Sequence, residues 1–112
     1  MNDKLNTNIL VLLKKSLRND YDSFVQSFLD DTIEIIDALD DAIKSKDQLL
    51  LSENAHKLKG SMATLGAVRM SELSCQLENI NGDLDTKQLS TIVSDIKEEF
   101  NEVKKQIIIH VS

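Results

Sequence analysis

Apolar residues recur along this chain at helical spacing and show almost none of the strict alternation of a half-buried strand. Leu5, Ile9, Leu12, Leu13 and Leu17 form a first, short stripe, with Thr7 or Asn8 as the candidate cap and an end near Arg18. Asn19 and Asp20 interrupt the pattern. Over residues 22–44 the spacing predicts a long amphipathic helix: Phe24, Val25, Phe28, Leu29, Ile35, Ile36, Leu39, Ala42 and Ile43 share a face, with Asp and Glu between them.

Only Ser45, Lys46 and Asp47 are left for a turn before Leu51, Ala55, Leu58, Met62 and Leu65 begin the next stripe, and so short a turn implies antiparallel neighbours. Gly66 suits the left-handed position that closes this third helix. Met70, Leu73, Leu77 and Ile80 mark a fourth, ended by Asn81-Gly82. Asp85 followed by Gln88 resembles a capping arrangement, after which Leu89, Ile92, Val93, Ile96, Phe100, Val103 and Ile107 run as the last stripe. Four substantial helices, each with one apolar face and short connections, bury those faces together. The expected fold is all-α: an antiparallel up-down four-helix bundle with a short extra N-terminal helix covering one end.

Composition narrows this picture. With 112 residues, one domain over 1–112 with one core is expected. No Pro, three Gly, 4% aromatic and 29% charged residues favour uninterrupted helices with solvated faces. Cys75 is the single cysteine and has no partner for an internal disulfide, and no basic segment leads into an apolar one at the N-terminus, so a cytoplasmic setting is expected. The longest apolar runs, 9–13 and 107–109, fall far short of the roughly 18 to 20 residues that span a bilayer, and no membrane association is expected. Nineteen acidic against thirteen basic residues give a net charge of -6, which argues against nucleic acid as a partner.

The chemistry centres on the third helix. With the stripe of Leu51, Ala55, Leu58, Met62 and Leu65 facing the core and an advance of about 100° per residue, His56 lies roughly 140° from the core direction. By the same counting Gly60 falls near ~180°, Ala63 near ~120°, Ser52 near ~100° and Lys59 near ~80°. Small residues therefore surround an exposed imidazole. A glycine inside a helix costs about 1 kcal/mol relative to alanine, so Gly60, one turn after His56, points to something approaching closely there. A neutral imidazole, the dominant form of an exposed ring at cytosolic pH, is nucleophilic. A phosphoryl group on it would bring about two negative charges, which Lys59 at i+3 could offset from the solvent side, with Lys57 further round the helix. Taken singly, each of these residues reads more simply as part of a solvated helix face; the constellation carries the functional reading.

Residues 55–67, A-H-K-L-K-G-S-M-A-T-L-G-A, resemble the phosphorylation motif of histidine-containing phosphotransfer (HPt) domains, in which H-x-L-K-G opens and a later L-G closes. The resemblance extends to residues 17–39, with F-V-Q-S-F-L-D-D-T inside, and to 73–78. It implies that His56 is phosphorylated, normally at Nε2, with Lys59 beside the phosphoryl group, Gly60 leaving the approach open, and Ser52, Lys57 and Ala63 available for docking. It implies a carrier without its own ATP site, loaded and unloaded by response-regulator receiver domains and a hybrid sensor histidine kinase. No cofactor is expected on this chain, the aspartate and its Mg²⁺ belonging to the receiver. The dimerisation helix of a histidine kinase usually places an acidic residue directly after its histidine, whereas here Lys57 follows; a bundle with four complete apolar stripes satisfies its own core, and a monomer is expected.

Two other classes compete. A purely structural bundle would leave His56 incidental and indifferent to replacement. A metal-binding bundle would use carboxylate and imidazole ligands three apart on inward faces. Glu53 and His56 have that spacing but project away from the apolar stripe, Cys75 falls opposite the stripe of its own helix, and His110 lies among the last residues.

Overall fold

The computed structural model describes residues 4–80 and 85–111, with side chains as far as Ile109. Helix α1 spans Thr7–Leu17, and a single 3₁₀ turn, Arg18–Asp20, leads into α2, Tyr21–Ser45. Helices α3, Gln48–Thr64, α4, Val68–Glu78, and α5, Thr86–Val111, complete the chain. Helix α2 packs on α3 and α5, and α4 packs on α3 and α5, so the four form a closed ring around one core. The all-α bundle expected from the periodicity is the observed architecture.

Local chemistry explains where each helix stops. Lys46 adopts the left-handed conformation (φ 55°) after α2, and the Asp47 N–H donates to the Ala42 carbonyl at 2.9 Å. Asp47 then caps α3, its side chain accepting from the Leu50 N–H at 3.0 Å. Two residues thus reverse the chain and set α2 and α3 antiparallel. At the far end Gly66 takes φ 69°, and the Ala67 N–H returns to the Met62 carbonyl at 2.9 Å, a closure that turns the chain into α4. Asp85 begins α5 by accepting from the Lys87 and Gln88 N–H groups at 3.1 and 3.3 Å.

The core follows the stripes, apart from Phe24 near the start of α2, which is 40% exposed. Leu39, Ala42, Ala55, Leu58, Met62, Met70, Ile96 and Val103 lose all contact with solvent, and the Leu51, Leu77, Leu89 and Val93 side chains lie beside them. The N-terminal segment closes one end, as expected: the Asn6 N–H donates to the Leu65 carbonyl at 2.9 Å, and the Lys4 N–H donates to Gln106 of α5. Among the described residues no helix is long and apolar enough to cross a membrane.

Three details differ from the sequence reading. The cap of α1 is Asn6, whose side chain accepts from the Asn8 N–H, and neither Thr7 nor Asn8. Leu10 is the buried residue of α1 while Leu12 is 63% exposed, because a short helix laid across the end of a bundle presents a narrower face than one running along it. Tyr21, which falls between the break at Asn19 and Asp20 and the predicted start at residue 22, is the first residue of α2 and is buried. The expected stop at Asn81-Gly82 lies outside the described residues.

Candidate functional site

His56 sits midway along α3, and the turn at Asp47 fixes the register that places it. Core residues Ala55 and Leu58 bracket it and are fully buried, which anchors the backbone on either side. The imidazole itself is 71% exposed. The helical counting therefore put it on the correct face.

Antiparallel packing of α3 against α4 brings Glu78, the last residue of α4, across from His56. One carboxylate oxygen, Oε2, lies 2.5 Å from His56 Nδ1, and the other, Oε1, accepts from the Lys59 ammonium at 2.6 Å. A single carboxylate thus bridges the imidazole and the lysine. Its pKa is held below the ordinary carboxylate range, first by the hydrogen bond from Lys59 and then by that from His56. Reciprocally, the hydrogen bond to Glu78 holds the Lys59 ammonium above the usual lysine value, against the opposing effect of partial burial.

The ionised carboxylate accepts and cannot donate, so the proton of this contact belongs to Nδ1. In a neutral ring the lone pair is then on Nε2, the nitrogen turned away from Glu78. A carboxylate orienting an imidazole through Nδ1–H is the arrangement by which a histidine's other nitrogen is fixed as the reactive one.

The surroundings are open. A Cβ built on Gly60 would meet nothing within 4 Å, so the approach one turn beyond His56 is unobstructed. The Thr64 hydroxyl donates to the Gly60 carbonyl at 3.0 Å and supplies the polar contact a bare helix surface would otherwise leave to water. Two shallow depressions flank the His56–Lys59 line. One, about 400 Å³, is lined by Ser52, Glu53, His56, Lys57 and Glu78; the other, about 350 Å³, by Lys59, Ala63, Gly66, Val68, Ser71, Glu72 and Cys75. Val68, in the lining of the second depression, is a strongly exposed apolar side chain. A larger depression of about 550 Å³ runs between α2 and α5, lined by Asp22, Asp30 and Lys104 among apolar side chains.

The structure brings together His56, Lys59 and Gly60, and places Ser52, Lys57 and Ala63 on the walls beside them. Two expectations need correction. Lys59 was expected to keep its charge available in water, whereas it is committed to Glu78, because α3 and α4 pack closely enough for the shorter carboxylate to reach it. Cys75 was expected opposite the buried face of α4, whereas it is half-buried, since the flank of α4 turned to α3 is covered as well.

Glu78 escaped the sequence reading as a functional residue. A faint signal existed: an acid at a helix C-terminus opposes the helix dipole, and α4 has no basic residue in its last turn to compensate it. Such a residue asks for cations from elsewhere, and α3 provides them. Among the described residues no three His, Cys, Asp or Glu side chains gather as they would around a metal ion, and the His110 side chain lies outside the described residues.

Comparisons with known proteins bear on this geometry. The crystal structure of histidine-containing phosphotransfer protein B from Pseudomonas aeruginosa PAO1 matches with a TM-score of 0.80 at 20% identity, covering 96% of this chain and 93% of that one. At that identity the likeness speaks for the fold. No curated protein matches the sequence. The Hpt domain profile matches residues 23–106, from the start of α2 through most of α5 and including the whole of α3 and α4. The chain therefore belongs to the Hpt domain family, the histidine phosphotransfer domains of phosphorelays.

Proposed function

We propose that His56 is the residue on which this chain carries its phosphoryl group, with Nε2 as the acceptor atom. The observation that carries the proposal is the Nδ1 contact to Glu78, which leaves the lone pair on an exposed Nε2 in the middle of a rigid helix. Attack of that lone pair on the phosphorus of an aspartyl phosphate forms the N–P bond as the O–P bond breaks. The electron pair returns to the aspartate, and the Nδ1 proton stays where it is. Glu78 faces the positive charge that develops on the ring, so loading and unloading need no proton transfer to solvent.

Nothing in this step requires a metal or cofactor on the chain itself. The receiver supplies the aspartate and the Mg²⁺ that stabilises the transferring oxygens. Lys59 stands one turn away to receive part of the phosphoryl charge, and Gly60 lets the receiver's backbone come close. Ser52, Lys57 and Ala63 line the two depressions a receiver would cover. The partners in this reading are response-regulator receiver domains and a hybrid sensor histidine kinase. The chain acts as a monomeric carrier in the cytoplasm, without an ATP site.

The test is transfer of label. The purified chain is mixed with a ³²P-labelled phospho-receiver domain and Mg²⁺, beside a His56→Gln variant. Acid-labile label on the wild type and none on the variant is the expected result. Equal labelling of both chains, or of neither with the bundle shown to be folded, would overturn the assignment.

A further inference from the structure

In the unphosphorylated site the one ammonium within a helical turn of His56 on its Gly60 side is already paired. Lys59 Nζ lies 2.6 Å from Glu78, and that carboxylate is largely shielded, with 17% of its side chain exposed. A phosphoryl group on Nε2 brings about two further negative charges to the same lysine. Lys59 then faces two anions, and any share of its charge left on Glu78 is charge the phosphoryl group does not receive. The exposed Lys57 and Glu53 beside the ring, of opposite sign, offset one another in the open solvent where both stand.

We propose that Glu78 tunes the phosphoryl-transfer equilibrium of this domain by holding the Lys59 ammonium back from phosphorylated His56, so that the group is passed on more readily than it is stored. The inference rests on the reading of His56 as the carrier and adds a second role for Glu78, separate from orienting the ring. In chemical terms nothing new is made or broken. The Nε2–P bond forms and cleaves as before, and Glu78 changes how the charge of the product is compensated.

Glu78→Gln keeps an acceptor for Nδ1–H while the negative charge is gone, and a Lys59→Met background separates the release of Lys59 from the loss of charge beside the ring. With the charge removed, Lys59 turns to the phosphoryl group. The partition of label between a receiver aspartate and His56 at equilibrium is expected to move toward His56 by roughly threefold to tenfold, the scale of one partly screened unit charge at close range. In a Lys59→Met background the same Glu78→Gln change is not expected to move the partition toward His56, since the ammonium it would release is absent and only the charge beside the ring is lost.

The measurement uses the full chain, a labelled receiver domain and Mg²⁺, with thermal unfolding of every variant as the control for folding. A merely structural Glu78 would lower the melting temperature and leave the partition unmoved. That result, or an equal shift with and without Lys59, overturns the proposal. Absence of label on wild-type His56 would instead overturn the carrier assignment beneath it, so the two failures are distinguishable.

Discussion

Glu78, at the end of α4, holds His56, in the middle of α3, by its Nδ1 across 22 residues of sequence. In the proposed carrier role the contact leaves Nε2 as the reacting nitrogen. In Glu78→Ala the acceptor is gone and Nδ1 loses its reason to keep the proton. Long-range ¹H–¹⁵N spectra of the His56 ring are expected to show a larger Nε2–H population than in wild type. Loading from a phospho-receiver is expected to slow roughly tenfold, since the tautomer with a lone pair on the exposed nitrogen becomes the minor one. An unchanged tautomer ratio in that variant would sink the orienting role.

The two glycines of the motif are expected to respond to alanine with opposite signs. Gly60 is a helical residue whose added Cβ meets open space, so Gly60→Ala should raise stability by about 1 kcal/mol through helix propensity. Gly66 has φ 69°, and a Cβ there would come within 2.7 Å of Asn6 Cβ, so Gly66→Ala should lower stability by about 1 to 2 kcal/mol or more. Urea unfolding of both variants reads these changes directly. Gly60→Gln adds reach without strain and is expected to leave the fold intact while slowing transfer, which separates access from stability.

The Glu78 bridge also makes a pH prediction whose sign follows from the two shifts. A carboxylate with a lowered folded-state pKa stabilises the fold above its ordinary range, and loses that contribution as pH falls through the lowered value. An ammonium with a raised pKa contributes below the ordinary lysine value and loses it as pH rises through the raised one. The stability difference between wild type and Glu78→Gln should therefore be flat across neutral pH, and should shrink as acid titrates the lowered carboxylate. Guanidinium titrations at several pH values check this. A difference that grows on acidification would contradict the bridge as the source.

Much of this was legible in the sequence because helices write their packing as a period. The stripes of Leu51, Ala55, Leu58 and Met62 and of Val93, Ile96, Phe100 and Val103 each predict a buried face, and each is buried. The exposed side of His56 follows from the same arithmetic. Gly66 was readable because only its conformation suits the turn. Tyr21 was not, since Asn19 and Asp20 suggest a loop, while the chain makes one 3₁₀ turn and resumes as helix at once. Glu78 lay beyond a reading of local spacing for a different reason: its partners come from another helix, and the register between α3 and α4 is set by the turn at residues 65–67 and by core packing.

The most direct test of the central claim is where the phosphoryl group resides. The ¹⁵N-labelled chain is phosphorylated by a phospho-receiver domain with Mg²⁺ and examined by ¹H–¹⁵N and ³¹P NMR. The expected result is a single phosphohistidine, on His56, with phosphorus bonded to Nε2 and the Nδ1 proton still donated to Glu78. Phosphorus on Nδ1 of His56, or on His110 or any other side chain, would contradict the account.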